Sequence, residues 1–103
     1  MFQVISMKQL EMYLSQGVKM TLLDVRSPLE FDAGFLKGAV NIPLEELEFR
    51  AGELSRDRPV VVYCAHGSKS LMAARMLDQL GFQAVSCAGG LASYRGRYLT
   101  QPR

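Results

Sequence analysis

VVVYCAHGSKSL, residues 60–71, sets three patterns in a row: a continuous apolar run, a short turn opening on a cysteine, and the start of a helical segment. Val60, Val61, Val62 and Tyr63 do not alternate apolar with polar, so they suit a strand buried on both faces, the kind that parallel sheets use. Cys64 then sits at the carboxyl end of that strand, where open α/β sheets place their ligand crevice. Residues 70–80 carry apolar side chains at helical spacing and stop before Gly81, a favourable residue just past a helix end. A thiol between strand and helix lies near unpaired backbone N–H groups, which favour an anion and with it the reactive thiolate. Gly67 gives the turn conformational freedom, Ser68 and Ser70 bring capping hydroxyls, and Lys69 adds positive charge. A free cysteine is most often a small apolar residue, but this placement makes Cys64 a candidate nucleophile.

Outward from that stretch, strands and helices take turns. Residues 2–5 (FQVI) read as a short strand, and Ser6 is an N-cap for a helix over 7–16 that Gly17 closes. Residues 20–25 (MTLLDV) form a second strand. Ser27, Pro28 and Glu30 then make a capping box with proline at N1, so a brief helix is expected to about Ala33. Gly34 and Gly38 bracket a turn before a third strand, 39–42, which Pro43 ends. Residues 44–49 read as an amphipathic turn or two, 50–59 as surface loop, 82–87 as a fifth strand, and 91–98 as a last helix after Gly89 and Gly90. Residues 101–103 are expected to fray. Alternation of this kind implies an α/β fold, with helices on both faces of a parallel sheet.

Composition bounds the function classes. At 103 residues, 49% apolar and 21% charged, the chain reads as one domain over residues 1–103, large enough to bury about 60–70% of its unfolded surface. A net charge of +2, with 12 basic residues scattered among 10 acidic ones, gives no clustered basic face for nucleic acid. No apolar stretch approaches the roughly 18–20 residues of a membrane span, and the opening MFQVISMKQLEMYL lacks a secretory apolar core, so a cytoplasmic location is expected. Cys64 and Cys87 are 23 positions apart and His66 is the one histidine. That set cannot complete a zinc site, and neither metal nor cofactor is expected.

Three segments together resemble one family. LLDVRSPLEFDAGFLKGAVNIP (residues 22–43), CAHGSKS (64–70) and CAGGLASY (87–94) are similar, in order and spacing, to the rhodanese homology domain, with coverage of essentially the whole chain. The resemblance implies a five-stranded, mostly parallel sheet with helices on both faces, and a sulfurtransferase of the thiosulfate sulfurtransferase class. Its cysteine would carry sulfur as a persulfide. Cys64 falls on the family's sulfur-accepting cysteine. Ala65, His66, Gly67, Ser68 and Lys69 complete the six-residue loop, with Ser70 following, as the substrate-binding set. Asp24 and Arg26 fall on the family's Asp-Val-Arg element as supporting residues, with an ion pair between them expected ahead of substrate contact for Arg26.

The chain also departs from the family. Lys69 replaces an arginine common at the last loop position, so attraction for an anion survives while bidentate grip is lost. Ala65 supplies no charge where some thiosulfate-using relatives have arginine. Phe35, Tyr94 and Cys87 stand at positions where the family usually shows histidine, tryptophan and an aliphatic residue; the two aromatics are expected to pack. The donor expected is therefore thiosulfate or a persulfide, and the acceptor a thiol, cyanide or a protein sulfur carrier. His66 is assigned to binding rather than base catalysis, and Lys69 to attracting the donor. Related phosphatases need a longer loop, with arginine where this chain has Ser70, so phosphoryl transfer is disfavoured. Two further expectations are a monomer or weak dimer, and a Cys87 that fills an aliphatic position rather than resolving oxidised Cys64. The competing class is a non-catalytic binding or regulatory module; retention of Cys64 argues against it.

Overall fold

The computed structural model describes residues 1–101. Its main sheet has five strands: β1 (Gln3–Ser6), β2 (Thr21–Asp24), β4 (Val40–Asn41), β5 (Val60–Tyr63) and β6 (Ala84–Ala88). They run in the order β1-β6-β5-β2-β4, every neighbouring pair parallel. The expected fifth strand thus runs to Ala88 and starts two residues later than read from sequence. β5 is the central strand, and Val60, Val61, Val62 and Tyr63 are all buried, as a two-sided apolar run requires.

Helices cover both faces. On one, α3 (Leu47–Arg50) and α4 (Ser68–Gln79) set Leu47, Ala73, Ala74 and Leu77 against Leu23, Val60 and Val62. On the other, α1 (Met7–Ser15) buries Leu10 among Ile5, Leu22, Val61, Tyr63 and Val85. Each fully buried aliphatic of this kind contributes about 1.5–3 kcal/mol relative to exposure. α1 starts at Ser6, whose hydroxyl accepts from the Gln9 N–H at 3.0 Å while Gln9 Oε1 accepts from the Ser6 N–H at 3.0 Å. α2 (Pro28–Ala33) begins with the expected capping box of Ser27 and Glu30. α4 ends in a Schellman motif: Gly81, at φ 90°, donates to the Asp78 carbonyl and Phe82 to that of Leu77.

Three expectations are corrected. α4 begins at Ser68 rather than Ser70, because left-handed Gly67 (φ 104°) turns the chain directly into the helix. Residues 50–59 are not all surface loop: α3 runs to Arg50, a 3-10 turn spans Ala51–Glu53, and Ala51 and Leu54 are buried. The helix expected over 91–98 is a single 3-10 turn, Leu91–Ser93, after which the chain extends. It then forms β7 (Leu99–Thr100), antiparallel to β3 (Phe35–Leu36), a strand absent from the sequence reading. Three contacts hold that extended segment: the Tyr94 hydroxyl donates to Glu11 at 2.5 Å and accepts from the Tyr98 N–H at 3.3 Å, and the Lys37 N–H donates to the Tyr98 carbonyl at 2.8 Å. A Cβ on Gly96 would meet both Tyr94 and Glu11 at 2.1 Å. Phe35 and Tyr94 pack as expected, Phe35 stacked on Phe31 at 4.4 Å and Tyr94 buried. Of the residues expected to fray, Pro102 and Arg103 lie outside the described ones. No helix is long and apolar enough to cross a membrane among the described residues.

Candidate active site

Cys64 follows β5 directly and α4 starts four residues later, so the sulfur lies between a strand end and a helix start. The residue is 1% exposed. Its Sγ accepts from the backbone N–H of Gly67 at 3.0 Å and of Ser70 at 3.2 Å. The N–H groups of Ala65, His66, Ser68 and Lys69 have no protein acceptor among the described residues. A ring of backbone donors, backed by the positive end of a 12-residue helix, favours negative charge on sulfur.

The ring is braced from behind. Ser70 is fully buried, and its hydroxyl lies 3.0 Å from the Gly67 carbonyl, 3.2 Å from the Cys87 carbonyl and 3.1 Å from the Ser86 hydroxyl, which donates to it. Leu91 and Ala92 donate their N–H groups to the carbonyls of Cys64 (2.8 Å) and Ala65 (2.9 Å). That approach requires glycine before them: a Cβ on Gly90 would lie 2.2 Å from the Ala65 carbonyl oxygen. Ser86, Gly90, Leu91 and Ala92 were not singled out from sequence as site residues; the Gly89-Gly90 pair was the available signal.

Asp24 and Arg26 form the buried ion pair expected of them. The Asp24 carboxylate accepts from the Arg26 backbone N–H (2.9 Å), from Nε (3.0 Å) and from Nη2 (2.6 Å). Nη2 also donates to the Gly34 carbonyl at 2.6 Å. Burial works to lower the Arg26 pKa, but the hydrogen bonds and charge of Asp24 outweigh it and hold the guanidinium above its ordinary value. Arg26 does more than brace, since it also lines the cavity at Cys64.

That cavity, of about 190 Å³, is walled by Arg26, Glu30, Cys64, Ala65, His66, Ser68 and Lys69. A second hollow of about 370 Å³ shares Arg26, Glu30, Ala65 and His66 and extends to Tyr94 and Arg95. The site residues read from sequence are therefore brought together, with Gly67 and Ser70 shaping the ring from within and Asp24 behind it. Glu30 and Arg95 are additions. Glu30 was read only as a helix cap; its Ser27 backbone hydrogen bond, against a smaller opposing effect of burial, and then the Ser27 hydroxyl, Arg26 and Lys69, hold its carboxyl below the ordinary range.

Cys87 lies elsewhere. In the parallel register of β5 and β6, Val61 pairs with Val85 and Val62 with Ser86. Alternation then puts Cys87 on the face of Tyr63 and Val61, and Cys64 on the face of Val62. The two thiols are free and on opposite sides of the sheet. Burial, then the nearby Cys64 charge, pushes the Cys87 thiol up to about 12, and its sulfur lies 3.1 Å from the Met7 sulfur. Among the described residues, no cluster of three or more His, Cys, Asp or Glu side chains could hold a metal.

A family model, the rhodanese-like domain, matches residues 6–97. The chain belongs to the rhodanese-like family. It is 34% identical over 94 residues to the thiosulfate sulfurtransferase GlpE of Shewanella oneidensis, covering 90% of this chain and 92% of that one. It is 39% identical over 80 residues to the uncharacterized protein YqhL of Bacillus subtilis, covering 77% of this chain and 64% of the relative. The crystal structure of a rhodanese-related protein from Thermoplasma volcanium superimposes with a TM-score of 0.79 at 36% identity, over 86% of each chain. This rhodanese-like chain spans less than two thirds of several curated relatives it matches, and 14% of one of them.

Proposed function

We propose that this rhodanese-like protein is a sulfurtransferase that carries a sulfane sulfur as a persulfide on Cys64. The observation that carries the reading is the pair of backbone N–H groups, from Gly67 and Ser70, aimed at a buried sulfur in a loop whose other amides have no protein acceptor among the described residues. A thiosulfate donor would react by attack of the Cys64 thiolate on the outer sulfur. The S–S bond breaks, sulfite leaves with the bonding pair, and Cys64 becomes a persulfide anion. A thiolate or cyanide acceptor then takes the outer sulfur and returns the Cys64 thiolate. Negative charge stays on sulfur through both steps, so fixed donors matter more than a proton shuttle. His66 and Lys69 border the cavity, and this reading assigns both to binding rather than to base catalysis.

Small sulfur donors and thiol or cyanide acceptors fit the cavity, and a protein sulfur carrier is a further acceptor of the same chemistry. A phosphatase role is disfavoured by Ser70, whose buried hydroxyl stands where a phosphoryl-clamping arginine would be needed. A purely docking role is disfavoured by the intact sulfur ring. The test is mass spectrometry after incubation with thiosulfate or a hydropersulfide: a gain of one sulfur atom on Cys64, absent in Cys64→Ser, is expected. An unmodified protein across both donor classes would overturn the reading.

A further inference from the structure

The cavity at Cys64 is poorly matched to a dianion. Two cations line it, Arg26 and Lys69, yet Arg26 is neutralised by the fully buried Asp24, and Glu30 brings its own negative charge to the wall. Glu30 Oε1 is engaged by the backbone N–H and hydroxyl of Ser27, both at 3.1 Å, while Oε2 has no protein donor among the described residues. Glu30 also lines the adjoining 370 Å³ hollow, where Arg95 spends Nη1 on the carbonyls of Ala92 and Tyr94 and leaves Nε and Nη2 without protein acceptors among the described residues. One exposed carboxylate and one exposed guanidinium thus border the same space beside the sulfur.

Building on the persulfide reading above, we infer that Glu30 and Arg95 set the donor class: they select an α-amino-acid hydropersulfide, with Glu30 taking its ammonium and Arg95 its carboxylate. Thiosulfate, which offers two negative charges and no ammonium, meets Glu30 as a repulsion. The transfer needs no added oxidant or reductant. The Cys64 thiolate attacks the terminal sulfur of R–S–SH, a new S–S bond forms on Cys64, the donor S–S bond breaks, and the amino acid leaves as its thiolate. The transferred sulfur arrives with its proton and loses it to water, because the ring of amide donors favours the persulfide anion.

The test measures single-turnover sulfur loading of Cys64 by mass, using cysteine hydropersulfide, its N-acetyl analogue and thiosulfate. The wild-type chain is expected to load from cysteine hydropersulfide about five- to tenfold faster than from the N-acetyl analogue, the size of one charge interaction across a hydrated cavity. Glu30→Gln, which keeps a capping-box side chain at N3, should remove that preference and raise loading from thiosulfate by a similar factor. Arg95→Gln should lower loading from cysteine hydropersulfide and leave discrimination against the N-acetyl analogue in place. Equal loading from the two hydropersulfides by the wild type, or a preference that survives Glu30→Gln, overturns the inference while leaving the persulfide reading intact. No loading of Cys64 from any of the three donors overturns both.

Discussion

Gly90 is the position where a single methyl group reaches the sulfur ring without touching sulfur. Its backbone, at φ 69° and ψ 173°, lies in a region that glycine alone occupies readily, and forcing alanine there costs about 1–3 kcal/mol. The new Cβ would also lie 2.2 Å from the Ala65 carbonyl oxygen and 2.5 Å from the His66 nitrogen. Both are rigid backbone atoms of the loop. Relief requires the carbonyl to move, which gives up the 2.9 Å bond from the Ala92 N–H, worth about 1 kcal/mol net. Gly90→Ala should therefore destabilise the fold by about 3 kcal/mol. In a chain of this size each kcal/mol lowers the thermal midpoint by about 4–8 °C. Gly89→Ala is the matched control: its φ of 88° is left-handed but nothing lies within 4 Å of the added Cβ, so backbone strain alone, about 1–2 kcal/mol, applies. Thermal melting by circular dichroism and the rate of Cys64 sulfur loading should both rank wild type above Gly89→Ala and Gly89→Ala above Gly90→Ala. A Gly90→Ala protein that melts with the Gly89→Ala control and loads sulfur at the wild-type rate would refute the bracing role of residues 90–92.

Two further outcomes follow from buried groups outside the ring. Asp24→Asn leaves the Arg26 guanidinium, whose side chain is 9% exposed, without a balancing charge, and urea unfolding should show a loss of about 3–5 kcal/mol. Replacing both partners, as Asp24→Asn with Arg26→Met, should recover part of that loss; a double variant no more stable than Asp24→Asn would contradict the account. Cys87 titrates near 9 in an unfolded chain and is held up to about 12 when folded, so between those values the folded state keeps a proton that the unfolded state has released. Stability contributed by this group is then complete below pH 9 and falls as pH rises, with a slope of up to about 1.4 kcal/mol per pH unit. Cys87→Ala should flatten the decline between pH 9 and 10, measured by denaturant midpoints; an unchanged slope would count against a buried neutral thiol.

Features written in one short stretch were legible in the sequence. The unbroken apolar run of β5, the Ser27 to Glu30 capping box and the Gly81 stop each depend on neighbours a few residues apart, and each formed where its local chemistry pointed. The cysteine loop is of this kind too. What stayed hidden depends on partners far along the chain. The helical spacing of residues 91–98 loses to the Tyr94 hydroxyl reaching Glu11 and to pairing of Leu99 and Thr100 with Leu36 and Phe35, none of which leaves a mark nearby. Glu30 was visible as a cap, but that it lines the thiol cavity follows only from how α2 packs beside the loop. Arg26 shows both sides: its pairing with Asp24 was readable two residues away, its place in the cavity wall was not.

The separation of the two cysteines across the sheet has a consequence for a charged-up protein. An internal second thiol within reach would discharge a persulfide at once, expelling hydrogen sulfide and closing a disulfide. Here Cys87 packs with Tyr63 and Val61 on the face of the sheet opposite Cys64, so a sulfur loaded on Cys64, as proposed above, would have no second thiol within the molecule to pass to. On the persulfide reading, its lifetime would be governed by what arrives at the mouth of the loop, as in a reservoir emptied on encounter.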